Sequence, residues 1–301
     1  MKIYLKLGLL IFLVLISSCS SHEGFDKEPF SFIVTADMRK YAGPAYQTTE
    51  YFRGVSQAIL KVGKGSFMVI TGDEDPPCDV DKIIDKVLGN DYVWYPGVGN
   101  HEAAKLEDMA WLRNWGSGDI PNLVRRGPIN GEETTYSFDF RNAHFIMLNQ
   151  YYDGNSDTGT DGDIVDVLYE WLKNDLSENR KPLIFVFGHE PFVSIPDVDN
   201  GRSKHIGDSL DAHPDNNQRF QELLRKYNVT AYICGHTHNT SYAKINGLWQ
   251  IDAGHSRGLG DPGVRSTFLK VRIFSSRIIV DIYRDDGKGG KYRLAHSVDL
   301  N

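Results

Sequence analysis

Apolar and polar residues follow two different periods along this chain, and the period switches repeatedly as far as residue 240. Short apolar runs bounded by turn formers read as strands at Phe30–Ala36, Phe67–Thr71, Tyr92–Val98, Pro182–Phe187 and Thr230–Cys234. Between them, helical spacing covers Thr49–Val62, Asp79–Leu88, Lys105–Trp115, Ile164–Leu176 and Gln218–Tyr227. The first helix has Thr48 or Thr49 as an N-cap, and the second stops at Gly89. The fourth carries Val165, Leu168, Trp171, Leu172 and Leu176 as a core-facing stripe. Thr134–Phe140 and Ala143–Asn149, joined through Arg141-Asn142, read as an antiparallel hairpin. Beyond residue 240 only strands remain: Ser241–Ile245, Leu248–Ile251, Phe268–Ile273 and Arg277–Tyr283, with turns at Asn246-Gly247 and Ser275-Ser276. The pattern predicts one α/β domain with a strand-only C-terminal block.

The strands of the α/β part end in polar clusters of one chemical kind. They are Asp37 in VTADMR, Asp73 in ITGDED, Asn100 and His101 in GVGNHE, His189 in FVFGHEP, and His236 and His238 in YICGHTH. Carboxyl ends of strands in an open α/β sheet line one crevice, so these residues are expected to converge. His238 follows His236 by two, which puts both on one side of an extended segment. Carboxylates, an amide and imidazoles together form a mixed oxygen and nitrogen set suited to divalent transition metals. Two such ions about 3.5–4 Å apart are the usual apparatus for turning water against a phosphoester.

This order of motifs is similar to that of the calcineurin-like metallophosphoesterases, over roughly Phe30 to Tyr283. The resemblance implies a two-sheet β-sandwich flanked by helices, and hydrolysis of a phosphomonoester or phosphodiester by metal-activated water. It implies that Asp73 is shared by two ions, that Asn100, His189 and His236 complete one site, and that Asp37 and His238 belong to the other. His101 would protonate the leaving oxygen as general acid, with Glu102 orienting it; Glu102 also reads as an ordinary carboxylate at a helix start. Manganese, iron or zinc suit such ligands, as one or two ions.

The family's first motif is Asp-x-His, and here it reads Asp37-Met38-Arg39. A guanidinium stays protonated and has no lone pair for a metal. Three consequences are open. The first ion binds with fewer protein ligands; or Arg39 takes its place and grips the phosphate in catalysis; or hydrolysis is lost and a non-catalytic phosphate- or metal-binding lipoprotein remains. The second leads to the expectation of a single tightly held ion. Glu74 or Asp75 as a replacement ligand is disfavoured, since Glu74 would point away from Asp73 along a strand and Pro76-Pro77 stiffens the chain just beyond.

Composition adds limits. The chain has 301 residues, 41% of them hydrophobic and 24% charged, enough apolar material for a sizeable core. A net charge of −7 argues against a nucleic-acid polymer and leaves a small phosphorylated substrate as the expected partner. Lys2 and Lys6 precede the apolar run Leu7–Ile16, which ends in Ile16-Ser17-Ser18-Cys19 and resembles a bacterial lipoprotein signal. The expected division is a signal peptide at 1–18, a tether at 19–29 lipidated on Cys19, and the phosphoesterase domain at 30–301. That places the chain outside the cytoplasm, held at a bacterial membrane by acyl chains. Such a compartment permits a Cys78–Cys234 bridge, while the place of Cys234 inside an apolar strand favours a buried free thiol.

Several rim segments carry candidates for substrate contact. The polar stretch Ser194–Pro214 carries Arg202, Lys204, His205 and His213, of which Arg202 and His205 are the contact candidates, and IDAGHSRG carries His255 and Arg257. Tyr151 and Tyr152 are candidates for stacking on a base or sugar. Asp153, Asn155, Asp157, Asp161 and Asp163 resemble a calcium loop but lack its Gly and Glu positions, so a flexible acidic loop is favoured.

Overall fold

The computed structural model describes residues 28–38, 48–258, 261, 263–275, 277–287 and 291–301. Cys19 and Arg39 lie outside them, as do the side chains of Thr48 and Thr49 and the turn residue Ser276. In chain order the elements are β1 (Phe30–Thr35), α1 (Thr48–Val62), β2 (Met68–Ile70), α2 (Pro77–Leu88), β3 (Trp94–Tyr95), α3 (Asn100–Ala103) and α4 (Leu106–Ser117). Then come β4 (Leu123–Arg126), β5 (Tyr136–Phe140), β6 (Ala143–Met147), α5 (Asp166–Glu178), β7 (Leu183–Phe187), a 3-10 turn at Leu210–Ala212, α6 (Pro214–Lys226) and β8 (Ala231–Cys234). The chain closes with β9 (Thr240–Ile245), β10 (Leu248–Ala253), β11 (Thr267–Ile273), β12 (Ile278–Arg284) and β13 (Arg293–Asp299).

These strands make two mixed sheets. One runs β13-β12-β11-β1-β2-β3 and the other β4-β5-β6-β7-β8-β10-β9. The C-terminal strands are therefore not a separate layer: β9 and β10 extend the second sheet, and β11 to β13 extend the first. β4 and β13 escape detection by pattern. Most of β13 is exposed, so it has no apolar face to mark it.

Alternation decides which layer each residue enters. Phe32 and Val34 face inward, whereas Ile33 packs outward under α1 and α2. In β6 and β7, Phe145, Met147, Phe185 and Phe187 face inward while Ile146, Ile184 and Val186 lie under α5 and α6. Both faces of the central strands are covered, which is why they read as continuous apolar runs. The space between the sheets is largely aromatic: the Phe32 ring lies 5.3 Å from Phe67 and from Phe145, and 5.4 Å from Phe185. Cys78 and Cys234 are both free thiols.

A buried cation fastens α5 to this sandwich. His144 on β6 is 1% exposed, and its ring nitrogens lie 2.7 Å from Asp139 and 2.7 Å from Asp175. Burial works against its charge, but the two carboxylates outweigh burial and raise it from the ordinary 6.5 to about 9. A group held more basic in the folded state stabilises fully below its unfolded pKa and loses that contribution as pH rises through its folded one. The stability difference between wild type and His144→Gln is expected to be about 3 kcal/mol below pH 6.5 and to shrink towards pH 9. Urea unfolding across that range measures it; a difference independent of pH would show that His144 is not charged.

Candidate metal centre

The two sheets bring different chemistry to one crevice. Asp37, Asp73 and Asn100 follow β1, β2 and β3 of the first sheet, while His189, His236 and His238 follow β7 and β8 of the second. Oxygen donors thus come from one side and nitrogen donors from the other. Asp37, Asp73, His236 and His238 take the left-handed backbone region, with φ of 53°, 56°, 71° and 59°. Few residues other than glycine enter it. Each turns the chain out of its strand and swings the side chain into the crevice. The expectation that His236 and His238 share one side of an extended segment is corrected: two left-handed residues, not strand alternation, aim them.

Close backbone approach explains the glycine before four of the five motifs, all but that of Asp37. A side chain on Gly99 would collide with the carboxylate and backbone nitrogen of Asp73, and one on Gly235 would sit 2.6 Å from Asp37 Oδ2. The Asp37 carboxylate accepts from the His236 N–H at 2.8 Å, which ties the sheets together at the site. Behind the GHTH turn, Thr237 donates to Asp252 at 2.6 Å. Burial lifts that carboxyl to about 8.

Hydrogen bonds set which ring nitrogens face inward. His189 Nδ1 donates to the Thr71 carbonyl at 3.0 Å, so its Nε2 turns a lone pair towards Asn100 Oδ1 at 3.2 Å and Asp73 Oδ1 at 3.5 Å. His236 Nε2 donates to the Asp208 carbonyl at 3.1 Å, leaving Nδ1 3.3 Å from His189 Nε2. Burial, reinforced by His189 and His205, holds the pKa of His236 well below the ordinary histidine value, which keeps that lone pair free of a proton. Asp37, Asp73 and His238 offer donor atoms within 4.8 Å of one another. Asp37 Oδ1 is buried and accepts no hydrogen bond from any described residue. Burial and then the neighbouring Asp73 and Asp252 push the Asp37 carboxyl upward. Acceptors that face acceptors, each outer nitrogen fixed on an oxygen, are the arrangement of metal ligands and their supports. The donor set fits a divalent cation.

His101 Nε2 lies 3.8 Å from Asp73 Oδ2, and its side chain is 32% exposed at the crevice mouth. Glu102 is buried, and among the described residues its hydrogen bonds go to backbone rather than to that ring. Its Oε2 accepts from the N–H of Asp73 at 2.9 Å and of Gly99 at 2.8 Å, capping α3. The expectation that Glu102 orients His101 is corrected on this geometry: it holds the backbone of Asp73.

Over the crevice runs the loop from Ser194 to Ser209. Buried Arg284 of β12 grips its base through Asp197 at 3.1 and 2.7 Å and Asp199 at 2.8 Å. At its far end the His205 ring lies 4.1 Å from that of His236. Lys204 Nζ lies 2.9 Å from His238 Nδ1, where Asp261 Oδ2 at 2.6 Å and Arg257 Nη2 at 2.8 Å also converge.

The model of the calcineurin-like phosphoesterases matches residues 30–240. The chain belongs to that family. Mouse tartrate-resistant acid phosphatase type 5 is 33% identical over 229 residues, covering 71% of this chain and 60% of the mouse protein. The human protein of the same name is 27% identical over 186 residues, 57% of this chain and 51% of its own length. The chain thus spans under two thirds of these relatives. In fold it is similar to the purple acid phosphatase PPD1 of yellow lupin, with a TM-score of 0.59 and 15% identity over 91% of this chain and 54% of that one. GAP50 of Plasmodium, described as the anchor in the inner membrane complex, gives 0.55 and 16% over 91% and 89%.

Within this member of the family the other candidates separate. His255 is fully buried, its Nε2 3.3 Å from the Val264 carbonyl, and does not reach the mouth. Arg257, 2% exposed, sits behind His238. Arg202 is held by Asn239 at 3.2 Å and Asp261 at 3.3 Å. Tyr151 and Tyr152 are buried rather than stacking surfaces. Tyr151 donates to Glu190 at 2.7 Å, tempering the rise to about 7 that burial imposes on that carboxyl. The acidic run scatters: Asp157 pairs with Arg113, Asp161 with His213, and Asp163 accepts from Asn216. Glu74 is buried, neither of its oxygens accepts from a described residue, and it is not among the clustered donors. Neither Glu102's backbone role nor Lys204 was a sequence candidate. The GNHE capping-box spacing was a signal for the first, and only its place in the charged rim stretch Ser194–Pro214 marked the second.

Glu102→Ala is expected to strand two buried N–H groups and weaken manganese binding by about 10–100-fold, as loss of a ligand's support does. Glu102→Gln keeps an acceptor oxygen and most of the affinity. Calorimetric titration of chelator-stripped protein measures both; unchanged affinity in the alanine variant would separate Glu102 from the positioning of Asp73.

Proposed function

We propose that this chain hydrolyses a phosphoester, a phosphomonoester or phosphodiester of a small molecule, with a divalent ion held mainly by Asp73, Asn100, His189 and His236. The observation that carries the reading is the set of lone pairs around His189 Nε2, with Asn100, His236 and Asp73 at 3.2–3.5 Å. When bound, manganese, iron or zinc supplies Lewis acidity towards water and the phosphoryl oxygens. Asp37 and His238 form a modified second position. There Lys204 and Arg257 already bring positive charge to His238, and Arg39 stands in sequence where the family has histidine. A second metal beside these cations would be repelled.

The chain's own groups divide the remaining work. His101, open to the crevice mouth beside Asp73, gives the Nε2 proton to the departing oxygen. Glu102 and Arg284 hold the floor and the rim. Cys19 carries the lipid that anchors the enzyme outside the cytoplasm; Cys19→Ser is expected to move the chain from the membrane fraction to the soluble one, and retention there would defeat the anchor.

With chromogenic phosphomono- and diesters, the manganese-loaded chain is expected to turn over at least one. His236→Ala should fall to background and His101→Asn by about 10²–10⁴-fold. Elemental analysis of active protein is expected to give one ion per chain, and two equivalents would refute the single-ion reading. A second reading, a binding protein that has lost hydrolysis, draws on the same crowding of His238 by cations. Metal bound without turnover of either ester would favour it.

A further inference from the structure

Three cations cluster near His238, and they differ in freedom. Arg257 is 2% exposed and locked behind the imidazole. Arg202 is committed to Asp261 and Asn239. Lys204 is half-buried on a flexible stem, its ammonium resting on the His238 ring at 2.9 Å from Nδ1 and 3.3 Å from Nε2. His205, the next residue, takes the left-handed region at φ 56°. Consecutive side chains of extended backbone point to opposite sides. The left-handed turn instead sends Lys204 to His238 and His205 to His236, so the loop covers both halves of the site. His238 Nε2 is 3.4 Å from Asp37 Oδ1, which puts the ammonium beside the half whose histidine is replaced by Arg39.

We propose that Lys204 reads substrate charge: its ammonium takes a non-bridging oxygen of a dianionic phosphomonoester and selects that class over singly charged phosphodiesters. This rests on the hydrolytic reading above. Asp37 and Asp73 present negative charge to any incoming phosphate, and a dianion feels it twice over. A cation on this flank offsets that repulsion, and gains more from a monoester than from a diester. An ammonium suits the task because its three donors carry no fixed plane and follow the phosphoryl group.

The test uses the full-length, manganese-loaded chain with p-nitrophenyl phosphate and bis-p-nitrophenyl phosphate at fixed ionic strength. Lys204→Gln is expected to raise KM for the monoester about tenfold, the scale of one charge-assisted contact, and that for the diester by clearly less. Lys204→Arg is expected to keep the preference. A monoester-to-diester ratio unaltered in Lys204→Gln, or equal losses on both esters, overturns the inference and leaves hydrolysis standing. A wild-type chain idle on both esters defeats the hydrolytic reading instead. Calorimetric binding of inorganic phosphate then decides Lys204 alone: weaker binding in Lys204→Gln upholds its grip on the dianion, and unchanged affinity overturns it.

Discussion

Lone pairs that face one another without a proton between them are the constraint on which this structure turns. His189 Nδ1 and His236 Nε2 are spent on backbone carbonyls, so His189 Nε2 meets the oxygens of Asp73 and Asn100, and His236 Nδ1 meets His189 Nε2, as acceptors only. Buried acceptors in that state are costly unless a cation joins them. The left-handed turns, the glycines without room for a side chain and the capping carboxylate of Glu102 all hold these atoms against their mutual repulsion. Strain of about 1–3 kcal/mol at each left-handed residue is sustained by the surrounding sandwich.

Much of this was legible because chemistry and topology share one rule. A strand buried on both faces appears as an uninterrupted apolar run, and in an α/β sheet its carboxyl end must open into the crevice. Asp37, Asp73, Asn100, His189 and His236 are each the first strongly polar groups after such a run, so their convergence follows from the alternation of strands and helices. The two-layer architecture came from the family resemblance rather than from the pattern, and the sharing of the C-terminal strands between both sheets came from neither. That depends on pairing partners, such as β11 against β1, far apart in the chain.

What stayed hidden depends on direction rather than position. His255 and Arg257 follow a strand end as the ligands do, yet their segment folds back beneath the GHTH turn, where Arg257 ends behind His238. Glu102 lies beside His101 in sequence, but on a helix start its carboxylate reaches backward to the N–H groups of Gly99 and Asp73. Tyr151 and Tyr152 look like surface tyrosines until Glu190 and the Ile129 carbonyl are seen to take their hydroxyls inside the protein. Lys204 sits in a stretch with neither periodicity nor motif, and only the anchoring of that loop by Arg284 gives it a place.

The division of donors between the sheets has a mechanical meaning. An ion held as proposed, by Asp73 and Asn100 from one sheet and His189 and His236 from the other, would be a rivet across the seam of the sandwich. Between the sheets the seam is filled by the rings of Phe32, Phe67, Phe145 and Phe185, Phe32 stacked on Phe67 and edge-on to the other two. On that proposal core size and metal grip would be a single adjustable property: a bulkier or leaner ring deep between the layers would retune the centre without touching any residue that lines it.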